Sequence, residues 1–587
     1  MLRGRKALVF GDDTRAFLAI LRSLGRAGME VHAAPPDLAA PALRSRYLTK
    51  THALPLWVGD GSGWLDAVEA LLRRERFDIV IPCTETALLP LARHRARFAP
   101  LTCLALPDDR SIEILFDKTA TRDWAAQHGV AIAGGRRLRD DDTAETLSSS
   151  VGLPIMLKPR ASHTMASLDQ RGKVEMLDRV EELAEHLQRI RREDYLVEGF
   201  FRGAGVGVSV LADRGELLAV FSHRRIRETA SGGSYYRISI PPDPGMERGV
   251  AAMLGALSYT GVAMFEFRQN LETGAWILLE VNARPWGSMP LPVALGIDFP
   301  AAWARLLLAG ERTAFAPYRL GIYGRNLLPD LSDLADRARR GGSAAPGLIA
   351  NWLAELRRLP LRQEHIDTLV ADDLRPGLAE IGNKLRGALG GLWRRLPFDR
   401  VIRRHQAETR LMRALAHPQS GAARIVFLCA GNICRSPYAE AVLRAQLFAV
   451  EQRPLVSSAG TLPRPGRPTP DNGIAEAGER GFDLTPHRSS HFDRDVAEAA
   501  DLIVAFDEKN LATMRARHPA LLDRTVLLGD FNGSGEIDDP YGGSQAVYAH
   551  AYRRIDRALD ALAVLVISRR AQTHPQPQAL HPAQHHA

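Results

Sequence analysis

Residues 425–441 have the sequence Ile-Val-Phe-Leu-Cys-Ala-Gly-Asn-Ile-Cys-Arg-Ser-Pro-Tyr-Ala-Glu-Ala. The apolar residues before Cys429 predict a buried strand, and the residues from Arg435 onward predict a helix. The loop between them joins a strand end to a helix N-terminus, where backbone N–H groups converge on one point and suit a phosphate oxyanion. The same positive field favours the thiolate form of Cys429.

The side chains of this loop and one distant motif complete a site for a phosphate ester. Arg435 can hold two equatorial phosphate oxygens in a bidentate contact. Asn432 suits the left-handed turn that such a loop needs, and Ser436 can donate a hydrogen bond to the sulfur. The acid for the leaving oxygen must come from elsewhere in the chain. Asp539, in the motif Asp538–Asp539–Pro540–Tyr541 within a Gly-rich turn, is the candidate.

Over about residues 423–567 the chain resembles the low-molecular-weight protein tyrosine phosphatases, and Ser457–Thr461, His487–Ser490 and Asp501–Asp507 resemble further motifs of that family in order. The resemblance implies hydrolysis of phosphotyrosine-like esters through a phosphocysteine. It assigns Cys429 as the nucleophile, Arg435 as the phosphate ligand and Asp539 as the general acid and later the base. The supporting residues that it implies are Asn432, Cys434, Ser436, Ser458, His487 and Tyr541.

Two alternatives concern the reaction of this region. Arsenate reductases share the scaffold, but they need resolving cysteines downstream of the loop, and no cysteine follows Cys434. The sequence therefore favours a phosphatase. Cys434 lies where some members carry a second cysteine that protects the nucleophile as a reversible disulfide. Tyr541 suits stacking on an aryl phosphate, although a small phosphorylated metabolite remains the alternative substrate.

The first 110 residues alternate between strands and helices. Gly28 ends the first helix, and Gly11–Asp12–Asp13 after the first strand is not a G-x-G-x-x-G loop, so a dinucleotide site has weak support. The βαβ pattern predicts a parallel sheet with covering helices. The predicted elements are the strands Lys6–Phe10, Val31–Ala34 and Asp78–Pro82 and the helices Arg15–Ala27 and Trp64–Arg74.

After residue 110 the pattern changes to helices followed by strands that are rich in β-branched and aromatic residues. Glu266 lies on one predicted strand, and Glu280 and Asn282 end the next. Alternation along a strand sends Glu280 and Asn282 to the same face. Two carboxylates and an amide oxygen form a set of hard ligands that suits Mg²⁺ bound partly through nucleotide phosphates.

This arrangement resembles the ATP-grasp ligases over about residues 1–330. The resemblance implies that Mg-ATP phosphorylates a carboxylate to an acyl phosphate, from which an amine or a thiol then displaces phosphate. It assigns Glu266, Glu280 and Asn282 as metal ligands, with Mn²⁺ as an alternative ion. The nucleotide-binding residues that it implies are Lys118, Lys158, Val197, Glu198, Phe200 and Arg284.

Two departures from the ATP-grasp pattern keep a second interpretation open. The loop Arg160–Ser167 lacks the glycines that many members use to cover the triphosphate, and Gly205–Val206–Gly207 stands where a second acidic residue often holds the ribose. Ser231–Gly232–Gly233–Ser234 would supply either a replacement phosphate contact or a flexible turn. The alternative is a phosphatase that is regulated by a non-catalytic ATP-binding module.

Composition and charge restrict the remaining classes of function. The chain has 587 residues, of which 45% are hydrophobic, and carries a formal charge of +8, most of it between about residues 336 and 413. Aromatic interleaving, helix-turn-helix patterns and zinc-finger spacing are missing, so a nucleic-acid partner is not expected. A solvated basic surface is favoured over contact with an anionic membrane surface. Four cysteines and no long apolar run predict a cytoplasmic protein.

The sequence therefore predicts an α/β multidomain, bifunctional enzyme. Its expected partners are small-molecule carboxylate and amine substrates and a phosphotyrosine protein. The predicted segments are a leading α/β domain (1–110), the two-lobe α+β ATP-grasp region (111–330), a basic helical segment and linker (331–420), a parallel-sheet phosphatase domain with the Cys-x5-Arg phosphate loop (421–569) and a disordered tail (570–587).

Overall fold

The computed structural model describes residues 2–573, except residues 58, 166–167, 169–170, 230–232, 343–344, 394–396, 420 and 463. These residues form two units. The first contains the chain up to Leu54 and Asp66–Asn383, and the second contains Pro55–Leu65 and the chain from Lys384 onward. Most of the predicted tail and the centre of the turn predicted at Ser231–Gly232 lie outside the described residues.

The first unit begins with a parallel sheet, as the βαβ pattern predicted. Its strands are β1 (Lys6–Phe10), β2 (Glu30–Ala34), β3 (Lys50–Thr51), β4 (Ile79–Pro82) and β5 (Cys103–Leu104). They lie in the order β3–β2–β1–β4–β5. The central β1 is buried from Ala7 to Phe10, as expected for a strand that helices cover on both faces. The helices of this part are α1 (Ala16–Arg26), α2 (Ser62–Glu75), α3 (Glu85–Arg93) and α4 (Arg95–Phe98).

Two further sheets, mostly antiparallel, follow. The smaller sheet has the order β6–β9–β7–β8 and consists of β6 (Gly135–Arg137), β7 (Ile155–Pro159), β8 (Glu175–Leu177) and β9 (Tyr195–Gly199). The larger sheet has the order β14–β13–β10–β11–β12–β15–β16 and consists of β10 (Ala204–Asp213), β11 (Glu216–Glu228), β12 (Ser234–Ile240), β13 (Gly261–Gln269), β14 (Trp276–Asn282), β15 (Tyr323–Arg325) and β16 (Glu364–Ile366).

Ten helices accompany these two sheets in the described chain. They are α5 (Asp109–Leu115), α6 (Lys118–Gln127), α7 (Ala144–Val151), α8 (Val180–Leu187), α9 (Pro244–Ala256), α10 (Pro290–Ala294), α11 (Phe299–Ala309), α12 (Leu327–Arg340), α13 (Ala345–Glu355) and α14 (Arg375–Trp393). A two-lobe α+β region was predicted here, and the fold class is confirmed.

One hydrophobic core joins the parallel sheet to the larger sheet. Phe17 of α1, Phe221 of β11, Met264 of β13, Trp286 and Trp303 of α11 are all buried in it. Burying a large apolar side chain stabilises a fold by about 1.5–3 kcal/mol, so this core holds the two sheets together. The carboxyl end of β1 is thereby fixed beside β13 and β14.

Residues 331–420, predicted as a basic helical segment and linker, also contain a strand. Strand β16 pairs in parallel with β15 and extends the larger sheet. Arg22 of α1 donates to Asp373 at 2.9 Å, and Arg237 of β12 donates to Asp367 at 2.8 and 3.0 Å. These ion pairs are buried, so the segment that contains them belongs to the first unit. Hydrophobic periodicity could not reveal them because the stabilising contacts are polar.

The second unit contains a four-stranded parallel sheet. Its strands are β17 (Arg424–Cys429), β18 (Leu455–Gly460), β19 (Leu502–Ala505) and β20 (Thr525–Leu527), in the order β18–β17–β19–β20. Its helices are α15 (Pro397–Ala416), α16 (Arg435–Gln446), α17 (Asp471–Glu479), α18 (Arg494–Ala499), α19 (Glu508–Arg517) and α20 (Gln545–Thr573). Parallel strands bring their carboxyl ends to one edge, where loops can form a site. None of the described helices of either unit combines the length and apolar character needed to cross a membrane.

Candidate active sites

The loop after β17 is arranged around the sulfur of Cys429. The backbone N–H of Asn432 donates to Cys429 Sγ at 3.2 Å, and Ser436 Oγ lies 3.1 Å from the same sulfur. Cys429 is only 3% exposed, and α16 begins a few residues further on. The loop therefore surrounds the buried sulfur with polar groups and places it beside a helix N-terminus. The strand–loop–helix arrangement predicted from the sequence is therefore present.

Asn432 holds the loop in shape. Its φ of 52° lies in the left-handed region, which asparagine tolerates better than most residues. Its side-chain nitrogen donates to Ser436 Oγ at 2.9 Å and to Ser458 Oγ at 2.8 Å. Its carbonyl oxygen contacts His487 Nε2 at 2.7 Å, and its side-chain oxygen accepts from Ser490 N at 2.7 Å. Ser458 and His487 thus contact the loop through Asn432, and Ser490 is a further contact that sequence reasoning missed.

Arg435 is buried, with 1% of its surface exposed. Its Nη1 donates to Asp507 Oδ2 at 2.6 Å and to the carbonyl oxygen of Ile537 at 2.8 Å, and its Nη2 lies 3.0 Å from Asp539 Oδ2. Burial disfavours the charged form, but Asp539, Cys429 and Asp507 outweigh it and raise the pKa of Arg435 above its ordinary value. The guanidinium therefore stays charged beside the sulfur. Asp507 was missed from the sequence, although it ends the Asp501–Asp507 motif.

Asp539 lies at the open side of the same site. Its carboxylate is nearly half exposed, while one of its oxygens contacts Arg435. The other oxygen accepts a hydrogen bond from Tyr541 N at 3.4 Å. Tyr541 is 58% exposed, so its ring is free to contact a substrate. The two residues assigned to the acid and to the rim of the pocket are therefore adjacent and accessible.

Cys434 is buried in the hydrophobic core of the second unit. Its sulfur lies 3.4 Å from the hydroxyl of Tyr548, and its carbonyl oxygen accepts from the hydroxyl of Tyr552. Burial raises the pKa of the Cys434 thiol to about 12. The thiol is therefore protonated at neutral pH, and the suggested protective disulfide with Cys429 stays a prediction.

In the first unit, the three predicted metal ligands are in contact. Glu266 and Glu280 are direct register partners on β13 and β14. The side-chain nitrogen of Asn282 donates to Glu266 Oε1 at 3.1 Å and to Glu280 Oε1 at 3.3 Å. Lys118 Nζ lies 3.9 Å from Glu280 Oε2. Clustered oxygen donors of this kind fit Mg²⁺ that is bound together with nucleotide phosphates.

The two carboxyl groups of this set have different protonation properties. Burial raises the pKa of Glu266, and the neighbouring Glu280 adds to this effect. Burial acts on Glu280 as well, but Lys118, Lys158 and Arg284 outweigh it and hold the pKa of this carboxyl below its ordinary value. A divalent cation favours the ionised form of its carboxylate ligands, so its binding would remove this difference.

The strand β9, which carries two of the predicted nucleotide-binding residues, has its polar side chain engaged. Glu198 is buried and contacts Lys158 Nζ at 2.5 Å and Arg122 Nη1 at 2.6 Å. Val197 is wholly buried in the hydrophobic core, so its side chain is not available to a ligand. Phe200 lies just beyond the strand and is exposed. The roles of these three residues toward a nucleotide stay predictions.

A cavity of about 450 Å³ lies beside the metal-ligand set. Arg284 lines it and is held by Glu85, whose Oε1 accepts from its Nε at 3.1 Å and from its Nη2 at 2.9 Å. Sequence reasoning missed several lining residues. They are Arg15, Glu85, His223, Arg225, Trp286 and Ser288.

Some polar atoms in the wall of this cavity have no hydrogen-bond partner among the described residues. These atoms are both ring nitrogens of His223, Trp286 Nε1 and Ser288 Oγ. Buried polar groups in native proteins are nearly always paired with protein groups or ordered water, so these atoms can accept a partner from inside the cavity. Trp286 and Ser288 lie shortly after Arg284 in the chain, which is the one signal that the sequence offered.

Solved structures of other proteins match part of this chain at low sequence identity. The L-amino acid ligase from Bacillus licheniformis has 18% sequence identity, and the match covers 55% of this chain and 79% of that chain with a TM-score of 0.41. The biotin carboxylase domain of the 2-oxoglutarate carboxylase from Hydrogenobacter thermophilus, solved with MgADP, has 16% identity. That match covers 54% of this chain and 73% of the other, with a TM-score of 0.44.

The second unit has closer relatives. Residues 424–573 match the family described as low molecular weight phosphotyrosine protein phosphatase. The low molecular weight protein-tyrosine-phosphatase Etp of Escherichia coli (strain K12) is 34% identical over 134 residues, which cover 23% of this chain and 88% of Etp. The matched residues include the whole loop around Cys429 and the turn that carries Asp539. Through this region, the chain belongs to the low molecular weight protein-tyrosine-phosphatase family.

Proposed function

We propose that the second unit hydrolyses aryl phosphate monoesters of the phosphotyrosine type. The observation that carries this proposal is the convergence of Cys429, Arg435 and Asp539 at one pocket. In the first step, the thiolate sulfur attacks phosphorus, the S–P bond forms as the P–O bond breaks, and Asp539 donates a proton to the leaving oxygen. In the second step, Asp539 accepts a proton from water, which attacks phosphorus and releases phosphate and the thiolate.

Arg435 has the donors that this reaction needs. Its Nη1 is held by Asp507 and Ile537, while its Nε has no partner among the described residues. Nε and Nη2 share one edge of the guanidinium, so these two groups form a fork for two phosphate oxygens. The fork remains in place as charge develops on the equatorial oxygens, which is the arrangement that stabilises a transition state.

The phosphatase proposal is tested with p-nitrophenyl phosphate and the full-length chain. We expect Cys429→Ser to abolish hydrolysis, because a serine hydroxyl is not ionised at neutral pH. The matched control is Cys103→Ser, which changes a free cysteine of the first unit. Hydrolysis by Cys429→Ser at a rate close to that of the wild type would refute the phosphocysteine route.

The reducing cytoplasm, which we propose as the location of the chain, suits a thiolate nucleophile.

We infer further that the first unit is a Mg-ATP-dependent carboxylate–amine ligase. Glu266, Glu280 and Asn282 would hold the ion, which would neutralise the phosphate oxygens of ATP. Lys118 and Lys158 lie at the same place and contribute positive charge. The substrate carboxylate attacks the γ-phosphorus and releases ADP, and the amine then attacks the acyl carbon and releases phosphate. The cavity beside these residues, with its unpaired polar wall, supports a small polar acceptor.

A second candidate for this unit is an ATP-binding module that regulates the phosphatase without turnover. One contact favours it, because Lys158 is engaged by Glu198 at 2.5 Å and is therefore less available to a phosphate. The two candidates are separated by measuring ADP release from the full-length chain with pools of amino acids and small carboxylates. Substrate-dependent release that disappears in Glu280→Ala would establish the ligase. ATP that binds without any release, and that alters p-nitrophenyl phosphate hydrolysis, would establish the regulatory module.

A further inference from the structure

We propose that His32, His52 and Glu75 bind a divalent transition-metal ion of the zinc type at the edge of the parallel sheet in the first unit. We call these three residues the histidine cluster. One ring nitrogen of each histidine and one carboxylate oxygen of Glu75 all lie within 4.8 Å of one another. The cluster contains no residue of the two candidate active sites, so this inference does not depend on the phosphatase or the ligase activity.

Three neighbouring elements bring the histidine cluster together. His32 lies on β2, and its register partner is Lys50 of β3, the strand at one edge of the sheet. His52 is the next residue after β3, and its backbone N–H donates to the carbonyl oxygen of Ala33 at 2.8 Å. Glu75 is the last residue of α2. A bound ion would therefore join the short edge strand and the end of this helix to β2.

Glu30 determines which nitrogen of His32 is available to a metal. His32 Nε2 lies 2.8 Å from Glu30 Oε1, and this hydrogen bond holds the pKa of Glu30 below its ordinary value. The carboxylate accepts the bond, so the ring proton lies on Nε2, and Nδ1 of a neutral imidazole then carries a lone pair. A carboxylate behind the imidazole is the usual arrangement for histidines that ligate metals, because it orients the ring and raises its basicity.

The available nitrogen of His32 faces the second imidazole. His32 Nδ1 and His52 Nε2 lie 2.8 Å apart, and the buried Phe77 ring packs at nearly a right angle against both rings. Burial, and then the neighbouring His32, lower the pKa of His52, so its ring is neutral at neutral pH. Neutral imidazole is the form that binds a metal. When the proton of His52 moves from Nε2 to Nδ1, both facing nitrogens present lone pairs.

Zinc requires only a small adjustment of the two rings. Tetrahedral zinc with Zn–N bonds of about 2.0–2.1 Å places two ligand nitrogens about 3.3 Å apart, so the rings would separate by about half an ångström. His52 lies at the end of the edge strand, where the backbone has fewer neighbours than in the centre of the sheet. The spacing of the two nitrogens is therefore close to that of a zinc site.

Glu75 supplies the anionic ligand. Its carboxylate contacts Lys50 Nζ at 2.9 Å and Arg74 Nε at 3.5 Å. The bond from Lys50 holds the pKa of Glu75 at about 2, so the carboxylate is ionised. The Lys50 side chain is 54% exposed, and surface ion pairs of this kind contribute little to stability. An ion can therefore take the place of the Lys50 ammonium, which turns into solvent.

The donor set selects the kind of ion. Two imidazole nitrogens and one carboxylate are ligands that zinc uses in proteins, with water in the fourth position. Mg²⁺ prefers oxygen ligands, which the metal-ligand set around Glu266 offers and the histidine cluster does not. The first unit therefore has two metal sites of different chemistry, one for an ion that accompanies a nucleotide and one for an ion of the zinc type.

The test measures zinc binding to the full-length chain by equilibrium dialysis against Zn²⁺ in excess Mg²⁺. We expect the wild type to bind one more zinc ion per chain than His52→Ala. Glu75→Gln and Lys50→Gln break the same ion pair, but they should act in opposite directions. Glu75→Gln should weaken this binding on the order of 10–100-fold or more, because losing even a residue that only supports a ligand has that cost. Lys50→Gln should strengthen the binding, because the competing ammonium is gone.

The matched control is His186→Ala. His186 Nδ1 lies 3.1 Å from Glu175 Oε2, but neither residue belongs to the histidine cluster. This variant should bind as much zinc as the wild type. Thiols, carboxylates and imidazoles elsewhere in the chain are the same in Glu75→Gln and Lys50→Gln, so these two variants report the cluster even if His52→Ala fails to fold. Equal zinc binding by the wild type and Glu75→Gln, or a change in the same direction in both variants of the ion pair, would overturn the site.

Discussion

Asp507 Oδ2 accepts a hydrogen bond from Arg435 Nη1 at 2.6 Å, and this pair sets the direction of the guanidinium at the phosphate loop. Asp507 lies just after β19 and caps α19 by accepting from Asn510 N at 2.8 Å, so its own position is fixed by the backbone. The end of β19 thus determines which edge of the Arg435 guanidinium is left for a phosphate.

We predict that Asp507→Asn lowers kcat/KM for p-nitrophenyl phosphate on the order of 10²-fold, the cost typical of misplacing one donor of an oxyanion site. The amide loses the charge that holds Arg435. Asp501→Asn is the matched control, because Asp501 lies at the other end of β19 and accepts from the backbones of Gln419 and Arg424. It should lower stability with little effect on turnover. Equal kinetic losses in both variants would argue against the positioning role.

Asp539 offers a test that depends on the leaving group. A general acid contributes about 10²–10⁴-fold, and mostly where the leaving oxygen is basic. We therefore expect Asp539→Asn to slow hydrolysis of phenyl phosphate far more than that of p-nitrophenyl phosphate. The neighbouring Asp538, whose carboxylate is largely exposed, provides the control Asp538→Asn. If Asp539→Asn slows both esters by the same factor, Asp539 is not the acid.

The stability of the first unit should depend on the protonation of Asp12. Burial, with help from Asp13 and Asp37, raises the pKa of Asp12 from 3.8 to about 6. The folded state then binds the proton more tightly than the unfolded state, so the free energy of unfolding falls as pH rises between these two values. Above about pH 6 the full penalty is present, and below about pH 4 it is absent.

Asp12→Asn should therefore raise the melting temperature of the first unit at pH 7.5 and leave it nearly unchanged at pH 4, as measured by scanning calorimetry of the full-length chain. Asp108→Ala is the control. Asp108 caps α5 by accepting from Ser111 N at 2.9 Å, so this variant should be less stable at both pH values. A gain in Asp12→Asn that is equal at both pH values would contradict the titration.

The sequence alone predicted most residues of the phosphatase site but fewer of the residues that position them. The strand, loop and helix around Cys429 follow from about seventeen consecutive residues, and alternation placed Glu280 and Asn282 on one face. Asp507 was missed because its role depends on a contact with Arg435, which lies far away in the chain. Single-sequence patterns carry no information about such partners.

The missed parts of the first unit share one physical cause. Strand β16 is held by backbone pairing with β15, and Arg22 pairs with Asp373, which lies hundreds of positions away in the chain. The buried, unpaired nitrogens of His223 likewise depend on the packing of neighbouring strands. Hydrophobic periodicity reports which face of an element is apolar, and it is silent about buried polar groups whose partners come from another element.

His223 belongs to a row of residues that are paired across the larger sheet. Glu280 is the register partner of Glu266, Glu266 of Gly207, and Gly207 of His223. Directly opposed residues share a face, so His223 lies on the same face as the metal-ligand set. A Cβ at Gly207 would overlap the His223 ring, which shows that the ring occupies the space over this glycine. Burial, then Arg237 and Arg225, lower the pKa of His223 well below its ordinary value, so the ring is neutral.

We predict that Gly207→Ala destabilises the first unit by about 1–3 kcal/mol, the usual cost of overpacking a filled site. In the His223→Ala background the same substitution should cost much less, because the space over Gly207 is then open. A double-mutant cycle in urea with the full-length chain measures this coupling, which reaches about 0.5–3 kcal/mol for residues in contact. Gly249→Ala, which would bring a Cβ against the side chain of Val130, is the control that should cost the same in both backgrounds. Equal costs of Gly207→Ala in the two backgrounds would mean that the His223 ring does not occupy the space over Gly207.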